Sequence, residues 1–139
     1  MSPDTAGLAR LHALCFSTPR PWAAHEFAQL LGDPANFLLR EPSGFLLGRV
    51  ILDEAEVLTL AVDPDARRQG TGRVLMARFE AEALLRKAAN AFLEVAADND
   101  AAINLYLAAG FRLTGRRPRY YRAPDGSSKD AEIMGKPLG

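Results

Sequence analysis

Apolar positions along the chain switch between helical and strand spacing several times, and that alternation predicts the elements. Leu8, Leu11 and Cys15 recur at i, i+3 and i+7, so a first helix is expected through about Phe16, capped by Asp4 or Thr5. Pro19-Arg20-Pro21 should break it, and a shorter helix should run from about Ala23 to Leu31, ending at Gly32. Asn36 to Arg40 reads as a strand, Glu41-Pro42-Ser43-Gly44 as a type I turn, and Phe45 to about Leu52 as the returning strand of a hairpin. A third strand, Glu56 to Val62, leads into a glycine-containing loop. The helix that follows, Gly72 to about Lys87, carries Leu75, Met76, Phe79 and Ala83 on one face. Ala91 to Ala97 is the next strand. Asp98-Asn99-Asp100 supplies N-cap residues for a short helix ending at Gly110. Two closing strands, about Phe111 to Arg117 and Ala131 to Lys136, surround a loop at Pro124-Asp125-Gly126. Hairpins at both ends of an alternating order predict a mixed α/β sheet flanked by helices.

At 139 residues the chain is expected to form one domain, residues 1–139. Its 48% hydrophobic and 24% charged residues are ordinary for a globular fold and argue against a disordered tail. Lys plus Arg equals Asp plus Glu at 17 each, so net charge points to no nucleic-acid partner. The distribution is less even: Arg112, Arg116, Arg117, Arg119 and Arg122 crowd one segment, which reads as a solvated hairpin or as a contact for a phosphate or an acidic partner. No apolar run approaches the roughly 18 residues that span a membrane. The polar start Met1-Ser2-Pro3-Asp4-Thr5 lacks the basic region of a signal peptide. A single Cys15, which cannot form an internal disulfide, fits a reducing cytoplasm, and it reads as a small buried hydrophobe. His12 and His25 have no metal-ligand spacing and read as helix-face residues, so no metal is expected.

The most telling stretch is Leu60-Ala61-Val62-Asp63-Pro64 followed by Arg67-Arg68-Gln69-Gly70-Thr71-Gly72-Arg73. A strand ends, glycines let consecutive N–H groups converge on one anion, and a helix start adds its partial positive charge. The ligand should carry a diphosphate. A P-loop would need Lys-Ser/Thr after the last glycine, where Arg73-Val74 stands, and a dinucleotide fingerprint would need Gly or Ala at Leu75. Both fail on residue identity. Downstream, Glu94 lies within the apolar run Ala91 to Ala96, and burial there would raise its pKa toward that of a general base; otherwise it faces solvent. Asn99 and Tyr106 are seven residues apart, hence on one helix face about 10 Å apart along the axis. Tyr106 is placed to donate a proton, or else packs in the core with its hydroxyl at the surface.

The loop resembles the acetyl-coenzyme A loop of the GCN5-related N-acetyltransferases (GNAT). With Leu52-Asp53-Glu54-Ala55, Leu93-Glu94-Val95, the run Asn99 to Tyr106, Gly110-Phe111, Tyr120-Tyr121, Asp125-Gly126 and Pro21-Trp22, the chain is similar to the RimI-type enzymes, bacterial ribosomal-protein-alanine N-acetyltransferases, over essentially everything after about residue 20. The resemblance implies a GNAT fold with a mostly antiparallel sheet. The first edge strand of that fold is expected to be absent or vestigial, because the leader is short and polar. It implies acetyl-CoA as cosubstrate, touched by backbone groups of Leu60, Ala61 and Val62, by Arg67, Arg68, Gln69, Gly70, Thr71, Gly72 and Arg73, and by Asn99. It implies Glu94 as proton acceptor, Tyr106 as proton donor, and Tyr120 and Tyr121 lining the groove of an N-terminal peptide, possibly from a ribosomal protein. Ala96 stands where the family often has Arg, Thr71 where it often has Leu, and Arg122 where it has Pro; the first and third lie near the expected peptide groove and put acceptor identity in question more than chemistry. A lysine or small-amine acceptor, and a non-catalytic acyl-CoA-binding module, remain as alternatives.

Overall fold

The computed structural model describes residues 4–16, 20–66 and 69–139. Helices α1 (Thr5–Cys15) and α2 (Ala24–Leu31) come first, followed by strands β1 (Asn36–Glu41), β2 (Gly44–Ile51) and β3 (Glu54–Val62). After a 3-10 turn come α3 (Thr71–Leu85), β4 (Asn90–Ala96), α4 (Asp100–Ala108), β5 (Arg112–Arg122) and β6 (Ser128–Pro137). The Asp4 carboxylate caps α1 by accepting from Gly7 N–H at 2.9 Å. Among the described residues no strand precedes α1. Pro19 of the expected helix-breaking segment lies outside them.

The six strands form one sheet in the order β1-β2-β3-β4-β6-β5, antiparallel except for β3 against β4. Neighbouring strand residues point to opposite faces, so the sheet carries two cores. Phe37, Leu39 and Leu46 pack with Leu75, Met76, Phe79 and Ala83 of α3, the four residues expected from helical spacing. Phe45 and Ala61 pack on the other face with Leu8 of α1 and Phe27 of α2. Each such fully buried Leu or Phe contributes about 1.5–3 kcal/mol.

Two closing strands are longer than their sequence suggested. β5 continues through Tyr120 and Tyr121 to Arg122, because a break in register between Arg117 and Tyr121 absorbs Pro118, which cannot donate to a ladder. Gly44 also has a further reason beyond the turn. A Cβ there would sit 2.7 Å from the Ala61 carbonyl, so β3 can pass close to the hairpin only if position 44 is glycine.

One irregularity shapes everything that follows. Leu47 pairs with Thr59, but Gly48 pairs with Val57, so Leu58 is an extra residue in β3. The bulge reverses the alternation. Ala55 and Val57 belong to the α3-side core, and beyond the bulge Leu60 and Val62 pack on that same side. Thr59 and Ala61 face α1 instead.

Candidate active site

β3 and β4 pair only from Glu54↔Asn90 to Val57↔Leu93, after which each strand runs on without the other. The sheet therefore forks. Leu58, the bulged residue, and Glu94 are the first positions past the last pair on their respective strands. Leu60, Ala61 and Val62 stay paired to β2 through Leu46, Phe45 and Gly44. Their opposite backbone edge has lost its β4 partner and opens into the fork.

The glycine loop ends at the start of α3. Gly70 is the N-cap with φ +82°, a left-handed conformation that a β-carbon disfavours. It has no side chain to cap the first-turn amides, and a Cβ built there would meet nothing within 4 Å. The space before the helix is open, and the amides of Thr71, Gly72 and Arg73 carry the positive end of a fifteen-residue helix. Gln69 and Arg73 are exposed beside it. Thr71 Oγ1 lies 2.9 Å from Ser43 Oγ, tying the loop to the β1–β2 hairpin. At Gly72 an added Cβ would come within 3.0 Å of Leu105, so α3 and α4 abut closely there. An uncapped helix start opening onto space, beside a strand with an unpaired edge, suits a diphosphate followed by an extended amide-bearing arm. Arg67 and Arg68, expected at the same diphosphate, lie outside the described residues.

Asn99 is the N-cap of α4: its side-chain oxygen accepts from Ala102 N–H at 3.2 Å. The amide NH2 is the part of that side chain left to face a ligand.

Glu94 lies between Leu93 and Val95 of the α3-side core and so points to the opposite face. Its carboxylate is half-buried and makes an ion pair with Arg117, Nε to Oε1 at 3.3 Å. The Arg117 guanidinium also stands 5.3 Å from the centroid of the Tyr120 ring. Tyr120 and Tyr121 pack edge to face at 5.1 Å, with Tyr120 the more exposed.

Tyr106 is buried in α4 against Phe111, ring centroids 6.3 Å apart. Burial, reinforced by the neighbouring Tyr121, pushes its phenol well above the ordinary tyrosine range. Tyr121 is pushed up to about 12, chiefly by burial and next by the Glu94 carboxylate. Glu94 points to the α1 face and Tyr106 sits in the α3-side core; the Glu94 charge helps push up the Tyr121 phenol, and Tyr121 in turn helps push up that of Tyr106. The carboxylate of Glu94 and the buried phenol of Tyr106 are the two groups here with the chemistry of a proton acceptor and a proton donor.

The Arg-rich segment resolves into specific pairs. Arg116 binds Glu132 at 2.6 Å and Arg117 binds Glu94. The sequence marks Arg117 only as one of the arginine cluster, not as a residue of the site. Its signal was the arginine run itself, but its partner could be found only from the strand register that lays β5 two places from β4. Two other readings need correction. His12 is not an ordinary helix-face residue but is 1% exposed within the core. Cys15 is only partly buried, and its thiol donates to the Val62 carbonyl at 3.2 Å. Among the described residues no group of three or more His, Cys, Asp or Glu could hold a metal ion. Among the described residues no helix is long and apolar enough to cross a membrane.

Comparison with known proteins agrees with this geometry. The sequence model of the acetyltransferase (GNAT) family matches residues 7–111. The chain is 41% identical over 122 residues to the [ribosomal protein bS18]-alanine N-acetyltransferase of Escherichia coli K12, spanning 85% of this chain and 82% of that protein. It is 35% identical over 145 residues to the N-alpha-acetyltransferase RimI of Mycobacterium tuberculosis, spanning 98% and 88%. The crystal structure of the ribosomal-protein-S18-alanine N-acetyltransferase from Escherichia coli superposes with a TM-score of 0.80 at 34% identity, covering 100% of this chain and 92% of that one.

Proposed function

The chain belongs to the acetyltransferase (GNAT) family and is an N-acetyltransferase, and from that premise we propose that its acceptor is the α-amine of a protein N-terminus, a ribosomal N-terminal alanine foremost. The observation that carries the mechanism is the fork: the last β3–β4 pair is Val57↔Leu93, and Glu94 is the next residue. Residues 1–139 act as one catalytic domain, working in the cytoplasm where ribosomal proteins are made.

Bound acetyl-CoA would supply the acetyl group as a thioester. The first-turn amides of α3 with Gln69, Gly70, Thr71, Gly72 and Arg73, joined by Arg67 and Arg68, hold its diphosphate. The unpaired edge of Leu60 to Val62, with Asn99 across the cleft, orients the arm. The incoming α-amine must shed a proton before its nitrogen can attack, and Glu94 accepts it. As the C–N bond forms and the C–S bond breaks, the departing sulfur needs a proton, which Tyr106 holds ready because burial keeps its phenol neutral. Backbone N–H groups of β3 offset charge on the carbonyl oxygen. Holding both reactants in one cleft contributes several kcal/mol, on the order of 7 to 11 at best. Tyr120 and Tyr121 line the side from which the peptide enters, opposite the α3 side that takes the cofactor.

Incubation with acetyl-CoA and a library of N-terminal peptides, read by mass spectrometry, tests this reading. Acetylation at the α-amine of Ala-initiated peptides is expected. Modification confined to lysine side chains would redirect the acceptor assignment, and no release of thiol with any amine would leave only an acyl-CoA-binding module.

A further inference from the structure

The segment of β3 that lines the fork has given up one of its two strand neighbours, so something else must hold it in place. α1 does this through two side chains one helical turn apart. Cys15 Sγ donates to the Val62 carbonyl at 3.2 Å, and His12 Nε2 lies 2.9 Å from Thr59 Oγ1. The other ring nitrogen of His12, Nδ1, accepts the backbone N–H of Trp22 at 3.0 Å. A neutral imidazole with Nδ1 accepting must carry its proton on Nε2, so His12 donates to Thr59 and both ring nitrogens are used. The ring is fixed in plane as well, stacked on Phe16 at 4.4 Å and on Trp22 at 5.0 Å, with the edge of Phe27 at 5.6 Å.

Thr59 immediately follows the bulged Leu58, where the strand changes face. Which way the amides of Leu60 to Val62 point depends on how residue 59 is anchored. Trp22, for its part, belongs to the segment that enters α2 on the face to which Glu94 points. We propose that His12 is a positioning residue for acetyl transfer: one imidazole registers the cofactor-side strand, through Thr59, against the acceptor-side Trp22 segment. The proposal rests on the reading that β3 beyond Leu58 holds acetyl-CoA.

The two contacts can be removed separately. His12→Gln keeps a donor near the Nε2 position and gives up the Trp22 bond; His12→Asn keeps an acceptor near the Nδ1 position and gives up the Thr59 bond. Thr59→Val removes the hydroxyl at constant shape, and Thr59→Ser keeps it. Binding of acetyl-CoA by calorimetry, together with kcat and peptide KM, separates them. His12→Asn and Thr59→Val are expected to weaken acetyl-CoA binding by roughly 2- to 10-fold, the worth of one hydrogen bond, and to lower kcat by about tenfold or more through misplacement. Peptide KM should hold in both. His12→Gln should instead raise peptide KM with cofactor affinity unchanged, and Thr59→Ser should behave as wild type. Adding Thr59→Val to His12→Asn should weaken acetyl-CoA binding no further, since the hydrogen bond that Thr59→Val removes is already gone. Folded variants that all match wild type, or that shift cofactor and peptide parameters alike, would overturn the clamp. If the His12 variants do not fold, Thr59→Val against Thr59→Ser decides, and equal behaviour of those two would overturn it. A wild-type protein that fails to bind acetyl-CoA would refute the cofactor reading and the clamp with it, an outcome distinct from normal binding with uniform shifts.

Discussion

Arg117 on β5 reaches across β6 to Glu94 on β4, its Nε 3.3 Å from the carboxylate oxygen at the fork. On the proposed mechanism, this cation stands beside the carboxylate that receives the substrate's proton. The arrangement separates two roles that mutation can test.

Glu94→Gln removes the proposed proton acceptor but leaves the shape. It should lower kcat by roughly 10²- to 10⁴-fold, the usual contribution of a general base. Arg117→Gln should cost far less in kcat and act mainly on peptide KM, because the guanidinium neither gives nor takes the transferred proton. Stability should barely move in either variant: the Arg117 side chain is 53% exposed, and such pairs are worth about 0–1 kcal/mol. Steady-state rates beside thermal melts check this. Equal losses of kcat in both would mean that the ion pair, not the carboxylate alone, is the working unit.

Tyr106→Phe should reduce kcat by roughly 10²- to 10⁴-fold with little change in acetyl-CoA affinity, since the hydroxyl is needed only when sulfur departs. The raised phenol adds a pH signature. A phenol held neutral above its ordinary value stays protonated, so no fall in kcat from loss of the Tyr106 proton should appear below about pH 10. Unchanged turnover in the Phe variant would remove Tyr106 from the chemistry.

Where chemistry and local spacing coincide, the chain could be read directly. The face of α3, the cap at Asn99 and the open N-terminus at Gly70 all follow from residues within a few positions of one another. The fork could not be read that way, because it depends on Leu58 being skipped in a ladder with β2, and no local pattern marks a skipped residue. Arg117 joins Glu94 only once β6 has placed their strands two apart. His12 is a middle case. It follows Leu8 by four residues and so shares its helix face, a cue to burial that the reading as a plain helix-face residue passes over, and its partner Thr59 is 47 residues away. β5 was truncated because Pro118 within an arginine run resembles a loop until the register break is seen.

Gly70→Val and Gly70→Asn distinguish conformation from bulk. A Cβ at position 70 meets no atom within 4 Å, so neither side chain clashes with the protein. The φ of +82° is the constraint: valine resists it, while asparagine tolerates the left-handed region. Valine should therefore turn the first-turn amides of α3 away from the diphosphate, weakening acetyl-CoA binding by an order of magnitude or so, from strain of about 1–2 kcal/mol. Asparagine should lose much less, and peptide KM should hold in both. Calorimetry reads the difference, and normal affinity in the valine variant would show that these amides do not carry the cofactor.

His12 predicts an acid-side loss of stability that a substitution can erase. Burial lowers its pKa from 6.5 to about 4, with the Glu26 charge opposing in part. The unfolded chain takes up this proton near pH 6.5 and the folded one only near 4, so between those values the unfolded state binds more protons. Stability contributed by keeping His12 neutral is therefore complete above about 6.5 and drains away as the pH falls towards 4. The shift corresponds to a loss on the order of 3 kcal/mol across that window. Physically, a second proton on the ring would turn Nδ1 from acceptor to donor, facing the Trp22 N–H that it now binds. Denaturant unfolding at pH 7 and pH 4.5 should show wild type losing more stability than His12→Gln, which has no imidazole to titrate. Every other titratable group is common to both proteins, so the difference between the two slopes reports His12 together with its coupling to Glu26. Parallel slopes would mean that the ring is already protonated, or already out of the core, before the chain unfolds.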